Sequence, residues 1–465
     1  ARAMFSKAWR SVVLVCGEAA LLVAAVIISS FVVAGPYAWV LLTDNTAVFR
    51  VLLVVLVCQV SLHYVDLYDL HTITGARDLA VRMMRAIGAA SLILGITYWL
   101  FPLLVVEQGI FVLFAALALL LVFAWRSAFE WVTSHLAPRE RLLLVGTSAA
   151  AVVLARELFE RRYELGVDIV GFVDPDPSRV GAPVINPGVV GTIDDIPGLT
   201  ERMRVDRVVV SLSDERGKLP MGQLLDVRLR SGVVFDHLAS VYEEYTGKIA
   251  LENLRPSWLV FSAGFRKTRA LLAAKRAFDI VAAVSGLILA APLMAVSALV
   301  VKLESPNDPV LYHQERVGLN GKVFTIHKFR TMRSDAEAGT GPIWSRANDT
   351  RVTSVGRFMR KTRLDEIPQL WNVLCGEMSL IGPRPERPSF VAQLTEQIPF
   401  YGQRHVVKPG LTGWAQVRYS YGASVEDAIE KMQYDLFYVK NLSIRFDIVI
   451  AFETVKTVLL RRGAR

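Results

Sequence analysis

Four long apolar runs open the chain, at about 11 to 34, 47 to 64, 86 to 105 and 109 to 125. Each comes near the roughly 20 residues that a helix needs to cross a hydrocarbon layer. The pattern predicts a four-helix membrane section over residues 1–130, arranged as two hairpins. Lys7 and Arg10 precede the first run, Arg77, Arg82 and Arg85 separate the second from the third, and Arg126, Arg139 and Arg141 follow the fourth. The loops "GPYAWVLLTDNT" and "LVVEQ" carry no Lys or Arg, so the amino terminus and everything after Arg126 are expected on the cytoplasmic side. A basic start ahead of an apolar run also fits a signal peptide, but no small-residue cleavage site follows and further spans do. A retained first helix is expected, and Ala1 to Ala3 before Met4 are left out of the fold reading.

From Arg139 the period changes. "RERLLLVGTSAAAVVLARELFER" reads as an apolar strand, a turn of small residues and an amphipathic helix, and "VDIVGFVD" and "VDRVVVSLS" read as further strands. This order predicts a Rossmann-like α/β domain over 139–250. Its turn, Gly146 to Ala151, keeps one of the three glycines of a dinucleotide fingerprint, so a spacer, a dimerisation unit or a lost cofactor site is favoured over a working one. Asp174 after a strand does not reverse that. Residues 251–274 read as a connector, polar and aromatic enough to lie near a membrane interface.

A fifth apolar run, Asp279 to Lys302, carries Pro292 at its middle, where a proline removes a helical hydrogen bond and crowds the preceding turn. Lys275 and Arg276 flank one end and Lys302 the other. An ordinary crossing would put the basic last third of the chain outside the cytoplasm. A re-entrant helical hairpin over about 279–302 is therefore favoured, with a proline-containing span as the alternative.

Composition narrows the classes. At 465 residues and 53% hydrophobic content the chain is too long for one ordinary domain and too apolar to be wholly soluble. A net charge of +9 alone does not choose among nucleic acid, anionic lipid and phosphorylated substrates. Cys16, Cys58 and Cys375 form neither a disulfide framework nor a metal cluster, which suits a reducing compartment. The seven histidines show no ligand spacing and none is assigned to catalysis.

The candidate chemistry lies in residues 275–465. Lys328, Arg330, Arg351, Arg357, Arg360, Arg363 and Arg384 sit among short apolar segments, glycines and prolines instead of along a polar helix, a pattern suited to phosphate. In "KTRLDEIPQLWNVL" Pro368 suits the first turn of a helix, placing Asp365 and Glu366 at or just before its amino end. Simple capping is one reading of that acidic pair; anion chemistry among arginines is the other. "IGPRPE" fixes Arg384 between two prolines, and "KPGLTGW" holds Lys408 and Trp414 on a constrained loop.

The blocks "KRAFDI", "QERVGLNGKVFTIHKFRTM", "TRLDEIPQLWNVLCGEMSLIGPRPE" and "KPGLTGWAQV" together resemble the signatures of the bacterial polyprenyl-phosphate hexose-1-phosphate transferases, the monotopic phosphoglycosyl transferase superfamily. The helical start and Rossmann-like middle resemble its large, exopolysaccharide-initiating members. The resemblance implies a C-terminal α/β phosphoglycosyl transferase domain at the bacterial inner membrane, with a re-entrant helix broken at Pro292; Ala291 stands where members often carry serine. It implies transfer of hexose-1-phosphate from a UDP-hexose to undecaprenyl phosphate, with release of UMP. Asp365 would be the nucleophile and a Mg2+ contact, and Glu366 its partner. Lys328 and Arg384 would contact phosphate, with Arg330, Arg351 and Arg360 as further candidates. A homodimer is conceivable and no nucleic-acid partner is expected. A membrane-anchored NDP-sugar oxidoreductase or dehydratase, or a non-catalytic scaffold, are the alternatives of other classes.

Overall fold

A computed structural model describes residues 7–65, 67–68, 76–105, 108–135, 139–185, 187–211, 220–251, 264–336, 349–419, 422 and 424–459. The chain divides into two compact units, Ala1–Leu238 and Ala239–Arg465. Most of the expected connector lies outside the described residues.

The first unit begins with four long helices, α1 (Lys7–Ala34), α2 (Ala47–Tyr64), α3 (Ala76–Leu100) and α4 (Gln108–His135). Among the described residues five helical stretches are long and apolar enough to cross a membrane, four of them here and the fifth at Arg269–Glu304. The protein is a membrane protein. Gly35-Pro36 ends α1, because proline cannot continue the hydrogen-bond ladder and Gly35 takes a φ of +54°. At Gly17 a Cβ would lie 2.4 Å from the Trp125 ring, so glycine allows α1 and α4 to approach. Leu22, Val54, Cys58, Met83, Leu94 and Val122 pack between the helices.

Two arginine placements differ from the sequence reading. Arg77, Arg82 and Arg85 ride on the first turns of α3 instead of a separate loop, with Arg82 paired to Asp78 at 3.0 Å. Arg126 is no interfacial cation: α4 continues past it, and it is buried against the equally buried Glu18 of α1 at 2.7 Å. Tyr68 OH donates to the other oxygen of Glu18 at 2.5 Å, and Arg126 also donates to the Leu67 carbonyl. A lone charge in such a setting is costly, and pairing supplies the compensation.

The α/β part of this unit is a parallel sheet of β1 (Glu140–Val145), β2 (Val167–Asp174), β3 (Val189–Thr192), β4 (Arg207–Val210) and β5 (Val234–His237), in the order β3-β2-β1-β4-β5. Helices α5 (Ala149–Glu160), α6 (Ile196–Arg202) and α7 (Met221–Ser231) follow β1, β3 and β4 respectively. Continuous runs such as "RLLLV" suit strands buried on both faces, and Leu142 to Val145 are fully buried. The order is that of a Rossmann-like sheet, with its switch point at the carboxyl ends of β1 and β4.

In the second unit α8 (Leu238–Thr246) precedes α9 (Arg269–Glu304), a single helix that contains Pro292. An antiparallel hairpin, β6 (Leu311–Val317) and β7 (Val323–Phe329), turns at Asn320-Gly321, both at positive φ. Helices α10 (Ser354–Thr362) and α11 (Gln369–Cys375) follow. Two short parallel strands, β8 (Ser379–Ile381) and β9 (Gly410–Thr412), bring "SLIGPRPE" beside "KPGLTGW". A Cβ on Gly410 would lie 2.1 Å from Gly382 N, so this backbone crossing needs glycine. Helices α12 (Pro388–Gln397), α13 (Val425–Lys440) and α14 (Ile444–Leu459) complete the unit, with Met432 and Leu436 of α13 packed on Leu394, Ile398 and Tyr401.

Candidate active site

Asp365 and Glu366 lie in a 3-10 turn, Leu364–Glu366, between α10 and α11. Arg363 before them takes a φ of +59° and closes α10, which reverses the chain and turns both carboxylates inward. Pro368 is the residue just before α11, as its position in the sequence suggests, but α11 is only seven residues long and shows no side-chain cap at its start. The acidic pair therefore does not serve as a helix cap.

Cations hold the pair. Glu366 Oε1 is 2.6 Å from Arg384 Nη2, 3.2 Å from Lys328 Nζ and 3.8 Å from Arg363 Nη1. Burial works against charge on Glu366, but Arg384, Lys328 and Arg363 outweigh it and hold that carboxyl well below the usual range. Asp365 is as buried, yet its Oδ1 has no hydrogen-bond partner. Burial, and after it the negative charge of Glu366, raise the Asp365 carboxyl to about 6 against the pull of Lys328, Arg360 and Arg363. The folded site thus brings the Asp365 carboxyl closer to neutral pH than an ordinary aspartate. A buried polar atom left open in an otherwise satisfied cluster is a mark of a working site.

Lys328 comes from β7, and its ammonium is lowered by burial while Glu366 pulls the other way. Asn372 of α11, fully buried, donates Nδ2 to Thr325 O at 2.7 Å and accepts from His327 N at 3.1 Å, which pins β7 beside the acidic turn. Of the other phosphate candidates, Arg360 donates Nε to Thr331 Oγ1 at 2.9 Å and acts on Asp365 through its charge. Arg351 is bound to Asp349 at 2.8 and 2.6 Å. Arg330 donates to Pro309 O at 2.9 Å and lies over the Tyr312 ring. The structure thus brings Lys328 and Arg384 directly to the pair and gives Arg330 and Arg351 other partners. The sequence counts Arg363 among the cations suited to phosphate but does not single it out as a contact of the acidic pair, and no local pattern announces its left-handed backbone. It also treated the histidines as scattered, whereas His313 and His327 face each other across the β6–β7 hairpin with their Nδ1 atoms 2.9 Å apart. The Asn320-Gly321 turn was the available signal for that pairing.

In the α/β part, Asp174 at the end of β2 accepts from Thr147 Oγ1 at 2.6 Å and pairs with Arg179 at 3.2 Å, and Ser148 Oγ takes the Ala151 N-H. These groups, which in a dinucleotide site would face ribose and pyrophosphate, satisfy one another, so no chemistry is assigned to a nucleotide there.

Apolar helices together with a buried acidic pair ringed by cations define a membrane enzyme of phosphate-group chemistry. A model of bacterial sugar transferases matches residues 270–461, and a model of a CoA-binding domain matches residues 63–219. The chain is 35% identical over 349 residues to the UDP-glucose:undecaprenyl-phosphate glucose-1-phosphate transferase of Escherichia coli, covering 72% of this chain and 71% of that protein. It is 40% identical over 263 residues to the UDP-N-acetylgalactosamine-undecaprenyl-phosphate N-acetylgalactosaminephosphotransferase of Aeromonas hydrophila, covering 57% of this chain and 61% of that protein. With the undecaprenyl-phosphate galactose phosphotransferase of Salmonella typhimurium it shares 41% identity over 204 residues, 41% of each chain. The chain belongs to the family of bacterial sugar transferases that act as undecaprenyl-phosphate sugar-1-phosphate transferases.

Proposed function

We propose that this protein transfers a sugar 1-phosphate from a UDP-sugar to undecaprenyl phosphate, releasing UMP and starting a lipid-linked glycan, by way of a covalent phosphosugar on Asp365. The observation that carries the reading is the buried Asp365 with an open Oδ1 beside a glutamate that gathers three cations. Asp365 attacks the β-phosphorus, the bond from that phosphorus to the bridging oxygen breaks, and UMP leaves with the electron pair. An oxygen of the lipid phosphate then attacks the same phosphorus and frees the carboxylate. Splitting the transfer spares the site from holding two anionic substrates at once. Lys328 and Arg384, tied here to Glu366, are placed to share their charge with incoming phosphates.

Mg2+ fits this arrangement. Among the described residues no group of three or more His, Cys, Asp or Glu could hold a metal, and the open Asp365 oxygen suits an ion that completes its shell with substrate phosphate. Bound there, the ion would neutralise diphosphate oxygens.

We read α9 as re-entrant, entering and leaving the cytoplasmic leaflet of the inner membrane, with the amino terminus and the second unit cytoplasmic and four crossings before β1. Both ends of α9 are tied to the same unit. Near its start Lys275 pairs with Asp447 and donates to Ile381 O, and Asp279 accepts from Ser379 Oγ. Near its end Val301 packs on Phe329 and Met359, and Glu304 accepts from Val355 N. A straight helix of this length would separate its ends by about 50 Å. Ile288 and Leu289 between them are exposed, as lipid-facing residues would be. The relatives differ in their named sugar, and the choice for this chain is open to a panel of UDP-sugars. A homodimer is part of the same proposal and is checked by light scattering in detergent.

Purified protein given UDP-sugar, Mg2+ and undecaprenyl phosphate should release UMP. Without lipid, Asp365 should gain the mass of one sugar phosphate. Release of UDP in place of UMP, or full activity with Asp365→Asn, would refute the proposal.

A further inference from the structure

The turn carrying Arg384 is held at every carbonyl. Pro383 O accepts from Gly410 N at 2.9 Å, Arg384 O from Arg404 Nη2 at 2.9 Å, Pro385 O from Arg316 Nη1 at 2.9 Å and Glu386 O from Val317 N at 2.9 Å. The two prolines have no N-H and a fixed φ, so these four bonds leave Arg384 little freedom beyond its side-chain torsions. That side chain ends on Glu366.

One of the four donors differs in kind. Gly410 and Val317 donate backbone N-H groups, and Arg316 is a half-buried cation that also reaches Gln314. Arg404 is a buried charge: its Nη2 is also 2.7 Å from Asp435 of α13, and its Nη1 donates to Tyr401 OH at 2.5 Å, with both partners buried. Burying an ion pair costs solvation that a neutral donor would not. A planar fork reaches a carbonyl, a carboxylate and a phenol at once, which a lysine ammonium cannot do with fixed geometry.

We infer that Arg404, oriented by Asp435 and Tyr401, is a positioning residue for the transfer step. It fixes the backbone at Arg384 so that the Arg384 guanidinium sits where Glu366 and the substrate phosphates need it. It touches neither substrate nor the acidic pair, and its effect passes through Arg384. The inference rests on the reading of function given above.

The test is a double-mutant cycle on the full chain in lipid nanodiscs with undecaprenyl phosphate, scoring kcat and KM for UMP release. Arg404→Lys should lower kcat by about tenfold or more with little change in the acceptor KM, and Arg384→Ala/Arg404→Lys should fall within about twofold of Arg384→Ala alone. A general structural role would make the two losses multiply. Tyr401→Phe, which removes only the hydroxyl that accepts from Nη1, gives a milder arm of the same cycle should Arg404→Lys fold poorly. Multiplying losses in either cycle, or unchanged kcat in Arg404→Lys, overturn the inference while leaving the proposed reaction intact. Wild-type protein that releases no UMP would overturn both.

Discussion

Replacing Asp365 by Asn should stabilise the second unit while abolishing its chemistry. The carboxyl is raised from its ordinary 3.8 to about 6, chiefly by burial, so keeping it charged in the folded state at neutral pH costs about 3 kcal/mol. An amide of the same shape escapes most of that cost, and since it still leaves a buried polar atom the net gain is put at roughly 1–3 kcal/mol. At about 2–4 °C per kcal/mol this means a rise of several degrees in thermal midpoint. The sign follows from the direction of the shift. Above about pH 6 the folded wild type carries the charge at a cost. As pH falls through 6 towards 3.8 the folded state takes up its proton before the unfolded chain does, the cost disappears, and the two proteins converge. Thermal unfolding of both at pH 7.5 and pH 5, with UMP release measured alongside, tests this. A variant no more stable than wild type at pH 7.5, or an advantage undiminished at pH 5, would refute the reasoning.

The same direction of shift should give the first half-reaction an acid limb above the ordinary carboxylate range, so the rate of the UMP burst without lipid acceptor should fall between pH 7 and pH 5, measured by rapid quench. Glu366→Gln removes the anion shared by Arg384, Lys328 and Arg363; UMP release should drop at least about tenfold, and what remains should show an acid limb moved to lower pH, because a raising charge beside Asp365 is gone. In the membrane section, Arg126→Ala leaves Glu18 buried without its cation and should cost roughly 3–5 kcal/mol, read by unfolding in mild detergent, with Glu18→Gln/Arg126→Met recovering most of it. Chelation by EDTA should stop UMP release and excess Mg2+ restore it.

Sequence reasoning went furthest where the signal is local or a matter of length. Apolar runs of the needed length gave the membrane helices, and "RLLLVGTS" with its companions gave a Rossmann-like sheet, because a strand buried on both faces must be apolar throughout. The acidic pair stood out through the motifs around it. Missed or misplaced were the features made by distant parts of the chain. Arg126 follows an apolar run and reads as an interfacial cation; only the packing of α4 on α1 reveals that Glu18 lies opposite it. Nothing in the sequence singles out Arg404 or Asp435, which lie 31 positions apart and are both buried by the packing of α13 against the Tyr401 segment.

The amino-acid order by itself determined that this is a membrane protein with a basic, phosphate-oriented last third and an acidic pair beside a proline. Which of the two carboxyls gives up its proton more readily was decided only by the tertiary structure. Glu366 and Asp365 are neighbours with nearly equal intrinsic acidity, but Lys328 from a strand, Arg384 from a clamped turn and Arg363 from a left-handed cap all converge on Glu366 and leave Asp365 with an open oxygen. In a buried site a difference of a few ångströms in the placement of cations sets two adjacent carboxyls apart, and such distances belong to packing, not to sequence.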